Sequence, residues 1–196
     1  PMNCSNFKKL ANSGFYDNTL FHRLIPEFIL QGGDILTRDG EDDNDGLGNP
    51  GWTVDAEFSN LKHKRGTFSM HRTKNDINSA GSQFFITLSK QEHLDNNYTI
   101  IGEIVDGLNV LDVISNIPSQ SKIAFRMLKT KIPVGQSDDQ WDEIVFNSQQ
   151  YFIKVPPNVN VENFKNMILN RINNKTKPSV PIRIKKLRVV DDDEKN

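Results

Sequence analysis

The tightest constraint on what this chain can fold into lies in some twenty early residues. Thr19 to Ile25 and Phe28 to Gln31 form two short apolar runs, broken by Pro26-Glu27 and closed by Gly32-Gly33. Runs this short, rich in β-branched and aromatic residues and punctuated by Pro and Gly, read as strands of a bent sheet rather than as a helix. Alternation along the first run puts Phe21, Arg23 and Ile25 on one face and His22 and Leu24 on the other. An arginine in so apolar a strand is either an exposed edge residue or a charge held against an apolar pocket for recognition or chemistry. Gln31 raises the same question.

Further elements supply partners for that sheet. Gly66 to Met70, Gly81 to Thr87 and Tyr98 to Val105 read as strands, residues 1 to 11 as a short core helix, and Leu108 to Ile117 as an amphipathic helix. Several strands with few helices predict an antiparallel barrel or sandwich capped by helices. Between them, TRDGEDDNDGLGNPGWT, residues 37 to 53, has no apolar period and reads as a solvated surface excursion.

Residues 119 to 177 are the odd segment. Trp141 to Phe146 and Tyr151 to Val155 can pair as a hairpin across Asn147-Ser148, and Asn160 can cap a helix whose Phe164, Met167, Ile168 and Ile172 share a face. The segment is too structured for a linker, and it either packs locally on the main domain or offers a partner surface. Ile182 to Val190 alternates apolar and basic residues as a half-buried strand does, and DDDEKN, residues 191 to 196, reads as a solvated acidic tail.

At 196 residues the chain suits one domain with an elaboration, and its net charge of −1 gives no field that favours nucleic acid or a membrane surface. No window approaches the roughly 18 consecutive apolar residues of a membrane span. The single cysteine, Cys4, excludes an internal disulfide and suits a reducing cytosolic or nuclear compartment. Pro1 is already followed by a helix, so strands that would precede it are expected to be missing from this chain.

Most site chemistries are poorly served. The four histidines, His22, His63, His71 and His93, match no zinc spacing, so no metal is expected. The acidic run Glu41 to Gly46 resembles the opening of a calcium loop, but Pro50 interrupts it and Trp52 stands where a closing Glu is needed. Cys4, among core positions of the first helix, reads as a small hydrophobe rather than a nucleophile. Phe84 and Phe85 could stack on bases, yet no basic residues flank them closely, so direct nucleic-acid binding is not expected.

What survives is a constellation of Arg23, Phe28, Gln31, Gln83 and Phe85. The stretches that carry it, YDNTLFHRLIPEFILQGGD, GSQFFIT and LDNNYTIIGEIVDGLNVLDVI, closely resemble the cyclophilin family of peptidyl-prolyl cis-trans isomerases. The resemblance runs over residues 1 to 117 and resumes near Ile182. It implies a mainly β fold, a closed eight-stranded antiparallel barrel capped by two helices, lacking its N-terminal strands here and carrying an α/β insert before the last strand. The domain would span 1–190, with 119–177 as the insertion.

The resemblance also implies roles. Arg23 would be the catalytic arginine. Phe28, Ile29, Phe85 and Leu94 would line a proline pocket, and Gln31 and Gln83 would fix the guanidinium and the substrate backbone. No cofactor is implied. Departures from the family pattern gather around the same groove: His93 stands where Trp is usual, Tyr98 where His is usual, His71-Arg72-Thr73 where an Ala-Asn-Ala run is common, and Ile29 where Met is frequent. They add bulk and charge, and they bear on substrate range, cyclosporin binding and turnover. The changed Trp position, the Arg kept, and a strand followed by an acidic stretch at the end together look like the spliceosome-associated nuclear branch. That implies proline-containing segments and spliceosomal proteins as partners, in the nucleus, with the cytoplasm as the other compartment. The alternative is an inactive proline-binding scaffold.

Overall fold

A computed structural model describes residues 1–190; the expected acidic tail at 191–196 lies outside the described residues. The chain divides into two compact units, Pro1–Ile117 with the chain from Val180 onward, and Pro118–Ser179.

The first unit opens with helix α1 (Met2–Asn12), followed by strands β1 (Arg23–Ile25), β2 (Ile29–Gly32), β3 (Thr67–Met70), β4 (Phe84–Thr87) and β5 (Ile100–Glu103), then helix α2 (Leu108–Ser115). The strands form one sheet in the order β1-β2-β4-β3-β5, and every neighbouring pair is antiparallel. Pro26 and Glu27 make the β1–β2 turn: Pro pre-sets its own φ, Glu27 takes φ 60°, and the Phe28 N–H donates to the Ile25 carbonyl at 3.0 Å.

Register sorts the side chains into two faces. Leu24, Leu30, Ile86 and Phe68 stand opposite one another across four strands. They build a core with Leu111 of α2, while Phe84 and Met70 on the same face close over Leu10 and Ala11 of α1 and over Tyr16. Fully burying one such side chain is worth about 1.5–3 kcal/mol. The other face carries Arg23, Gln31, Phe85 and Ser69 in a single cross-strand row.

Antiparallel pairing and two helices agree with expectation, and among the described residues the sheet of this unit has five strands. Two local expectations also change. Ile182 to Val190 forms no strand: it meets Thr19 to Phe21 through one bridge, Leu20 to Arg183, and then leaves the sheet. The Asp17 carboxylate takes over there, accepting from the Leu187 N–H at 3.1 Å and from the Arg188 guanidinium at 2.7 and 2.6 Å. Phe21 does not share a face with Arg23. Regular extension begins only at Arg23, so the alternation does not reach back, and Phe21 packs edge-on against core Phe84 at 5.9 Å.

The second unit comprises helix α3 (Gln120–Met127), a hairpin of β6 (Trp141–Phe146) and β7 (Gln149–Lys154), and helix α4 (Val161–Asn173). Asn147 and Ser148 take φ 49° and 62°, the left-handed pair that a two-residue hairpin turn demands. The Asn160 side chain accepts from the Asn163 N–H at 2.9 Å and caps α4. Helix α3 went unread in the sequence because its period is so short; Ser119 caps it. Ala124, Leu128, Ile144, Ile153, Phe164, Ile168 and Ile172 give this unit a core of its own.

Candidate active site

Arg23 sits on β1 directly opposite Gln31 of β2, and its Nη1 donates to Gln31 Oε1 at 3.1 Å. Gln31 Nε2 in turn donates to Gln83 Oε1 at 3.0 Å. Gln83 Nε2 then donates to the carbonyls of Gly46 at 2.8 Å and Gly48 at 2.9 Å. The direction of this chain is dictated by its ends: a guanidinium can only donate and a carbonyl can only accept, so both carboxamides must turn the same way. Partial burial disfavours the charged form of Arg23 and lowers its pKa, and Tyr98 opposes that shift. One of five N–H groups serves Gln31, which leaves most of the fork for a ligand.

Beside the arginine lies an apolar cluster. Ile29, Phe85 and Leu94 are buried together, with Phe28 and Tyr98 packed against them. The Phe85 and Tyr98 rings meet edge-on at 5.3 Å, and His93 stacks on Phe28 with centroids 5.5 Å apart. Phe28, Ile29, Gln31, Gln83, Phe85, His93, Leu94 and Tyr98 thus come from three stretches of chain, 28–31, 83–85 and 93–98, and are joined through these contacts and the cross-strand row that carries Arg23. On the far side of Gln83 a cleft of 420 Å³ opens between Gly46, Gly48, Thr53, His71 and Thr73. Burial, with Arg23 next and His22 and Arg72 after it, pushes the His71 pKa down to about 4. The imidazole is therefore neutral at pH 7. Arg72 lies over the Tyr98 ring, its Cζ 4.7 Å from the centroid.

The sequence reading missed two supports. Asp34, fully buried, accepts from the Leu36 N–H at 2.8 Å and the Gly46 N–H at 2.5 Å, and so holds the loop whose carbonyls hold Gln83. A Cβ at Gly48 would overlap the Asp34 carboxylate, which explains why glycine is needed there. Behind Phe85, His63 stacks on its ring at 6.1 Å. The His63 Nδ1 is 3.0 Å from Asp95 Oδ1 and its Nε2 is 3.0 Å from Ser69 Oγ. This Ser-His-Asp array has the distances of a nucleophilic triad but not the access: Ser69 is 0% and His63 1% exposed. It is a polar brace under the pocket ring. The spacing of His63, Ser69 and Asp95 carries no motif, so only folding reveals it.

Among the described residues, no three His, Cys, Asp or Glu side chains converge as metal ligands would. Cys4 is half-buried, its Sγ 3.8 Å from the Ile101 carbonyl oxygen.

Residues 1–133 match the family model described as cyclophilin type peptidyl-prolyl cis-trans isomerase/CLD. The chain belongs to the cyclophilin family. It is 41% identical over 129 residues to peptidyl-prolyl cis-trans isomerase-like 3 of Gallus gallus, covering 62% of this cyclophilin and 73% of the relative. The Homo sapiens protein of that name is 42% identical over 124 residues, with the same coverages. Peptidyl-prolyl cis-trans isomerase B of Bacillus subtilis is 39% identical over 118 residues, covering 59% of this chain and 76% of its own. Among solved structures, a Cryptosporidium parvum cyclophilin type peptidyl-prolyl cis-trans isomerase crystallised in the presence of the dipeptide Ala-Pro superposes with a TM-score of 0.62 at 28% identity, covering 97% of this chain and 85% of that one.

Proposed function

We propose that this cyclophilin isomerises X-Pro bonds at the groove formed by Arg23 and the Phe28, Ile29, Phe85, Leu94 cluster. The observation that carries this is the arginine itself: a partly buried guanidinium, braced through Gln31 and Gln83 onto two loop carbonyls, beside an apolar cluster with a ring floor. The barrier to rotation about a peptide bond is roughly 20 kcal/mol and arises from amide resonance. No bond need break. An apolar pocket holds the proline ring while the chain on one side turns, and a donor aimed at the imide nitrogen stabilises the lone pair that appears as resonance is lost. Arginine is suited to this because it stays charged and supplies donors without a proton transfer. In this reading Gln31 and Gln83 orient Arg23 and the substrate backbone, His93 and Tyr98 form the altered pocket wall, and His71 and Arg72 form the rim. The closed eight-stranded form of the fold belongs to the same proposal.

Isomerisation of an Ala-Pro reporter peptide tests it. Wild-type protein is expected to accelerate exchange, and Arg23→Ala to cut kcat/KM by about 10²-fold. A wild-type rate at background, or an Arg23→Ala rate equal to wild type, overturns the reading.

We further infer association with the nuclear splicing machinery, supported by the His93 wall that this chain shares in pattern with the spliceosome-associated branch. The second unit, with its own core and exposed Phe125 and Val145, supports a docking role for the insert and keeps open a scaffold that binds without turnover. Its ends meet: the Gln120 N–H donates to Lys177 O at 2.8 Å and the Ser179 N–H to Pro118 O at 2.9 Å. Residues 121–176 can therefore be excised between neighbouring points of the backbone. Loss of co-purification with splicing complexes after that excision is the expected result, and an intact association removes the docking idea.

A further inference from the structure

The rim of the groove carries a charge that the chemistry at Arg23 does not use. Arg72 follows β3, and its guanidinium is pinned from several sides: Cζ lies 4.7 Å from the Tyr98 ring centroid, Nε donates to Asn97 O at 3.2 Å, and Nη1 donates to Thr73 O at 2.9 Å and Lys74 O at 3.3 Å. These partners are neutral, so they fix the position of the positive charge without cancelling it. Nη2, which carries two N–H donors, has no part in those three contacts.

Position matters as much as charge. Tyr98, on which Arg72 rests, meets Phe85 edge-on at 5.3 Å, and Phe85 lies in the same cross-strand row as Gln31 and Arg23. Arg72 is thus one ring removed from the apolar floor. Two further observations place other positive charge near this rim. His71 is held neutral in part by the Arg23 and Arg72 charges, and Lys74 follows two residues on. Asp76, the nearest acidic residue in the sequence, turns back on its own loop and accepts from the Asn78 N–H at 2.8 Å.

From this geometry we infer that the groove selects peptides carrying an anionic side chain, carboxylate or phosphate, on a residue immediately flanking the proline, with Arg72 as the specificity-determining residue. The inference rests on the proposed proline site. A side chain next to a proline seated on Phe85 reaches the Tyr98 edge of the floor, where the guanidinium waits already immobilised. A pre-fixed planar fork loses little entropy on pairing with an oxyanion and can bind it through two N–H groups.

The test is a set of otherwise identical proline peptides with Ala, Asp, phosphoserine or Lys beside the proline. Each is followed for exchange by NMR and for binding by chemical-shift titration, at low and at high salt. Wild-type protein is expected to favour Asp over Ala by about fivefold at low salt, with Lys worst and the preference shrinking as salt rises. Arg72→Gln should bring the Asp-to-Ala ratio to near one, and Arg72→Lys should restore part of it. Either anion's advantage supports the inference, and the Asp-to-phosphoserine ratio assigns its source. Equal treatment of Ala and Asp by wild type, preference for Lys, or an Asp preference that persists in Arg72→Gln overturns it. Failure of the isomerase reading is distinguishable: exchange would then stay at background for all peptides, while the titrations still report the anion preference or its absence.

Discussion

The side-chain oxygen of Gln31 accepts from Arg23 Nη1 at 3.1 Å across the β1–β2 pair, so the groove's one strand arginine is oriented by the residue directly opposite it. Gln31 is itself 4% exposed, and it hands the constraint on to Gln83.

That arrangement predicts a graded series. Gln31→Leu keeps the volume but leaves the Arg23 N–H and the Gln83 oxygen without their partner, and is expected to lower kcat/KM about tenfold, less than Arg23→Ala. Gln83→Leu should resemble it and should also loosen the loop at Gly46 and Gly48. Exchange spectroscopy on the reporter peptide, beside thermal melts, separates lost orientation from lost stability. A Gln31→Leu variant with full activity would show that Arg23 needs no positioning partner.

His93 stacked on Phe28 predicts weak cyclosporin binding, since an imidazole offers less apolar area and a different hydrogen-bonding edge from an indole. His93→Trp is expected to tighten binding by about tenfold, measured by calorimetry. Equal affinity in the two proteins would remove His93 from the wall.

His71 predicts a pH dependence of stability. Its pKa in the folded protein is about 4, against an ordinary value near 6.5 in the unfolded chain, so the unfolded chain takes up the proton first. Stability from this group is full above about pH 6.5, falls as pH drops from about 6.5 to about 4, and is flat below that. His71→Gln should flatten that limb of the melting-temperature profile. An unchanged profile between pH 4 and 6.5 would show that His71 titrates normally.

The brace under Phe85 gives a fourth expectation. Backbone donation from His63, then side-chain bonds from His63 and Lys62, hold the Asp95 pKa at about 2. Its carboxylate therefore stays ionised throughout the pH range of function. Asp95→Ala strips the partner from the buried His63 ring and should lower the urea midpoint of unfolding. Ser69→Ala should cost less, because a hydroxyl is the weaker partner. If Asp95→Ala melts like wild type, the array is not structural.

The two strand runs around Pro26, the Asn147-Ser148 hairpin and the Asn160 cap were all legible in the sequence, because each depends on local conformational preference and on a period of two or 3.6. So was the family, since Tyr16 to Gly33 is nearly a continuous motif. The strand limits were less legible: Tyr98 lies just before β5, and Gln83 just before β4, because pairing partners rather than propensity decide where a ladder starts.

What only tertiary structure decided is everything made by residues distant in sequence. Asp34 reaching Gly46, His63 reaching Asp95 and Ser69, and Arg72 lying on Tyr98 are contacts between ordinary polar residues at unremarkable spacings. A buried polar group must find a partner once water is excluded, but its sequence neighbours do not say which one. Local preference wrote the strands; the demand for satisfied charges and hydrogen bonds along the groove chose the company that Arg23 keeps.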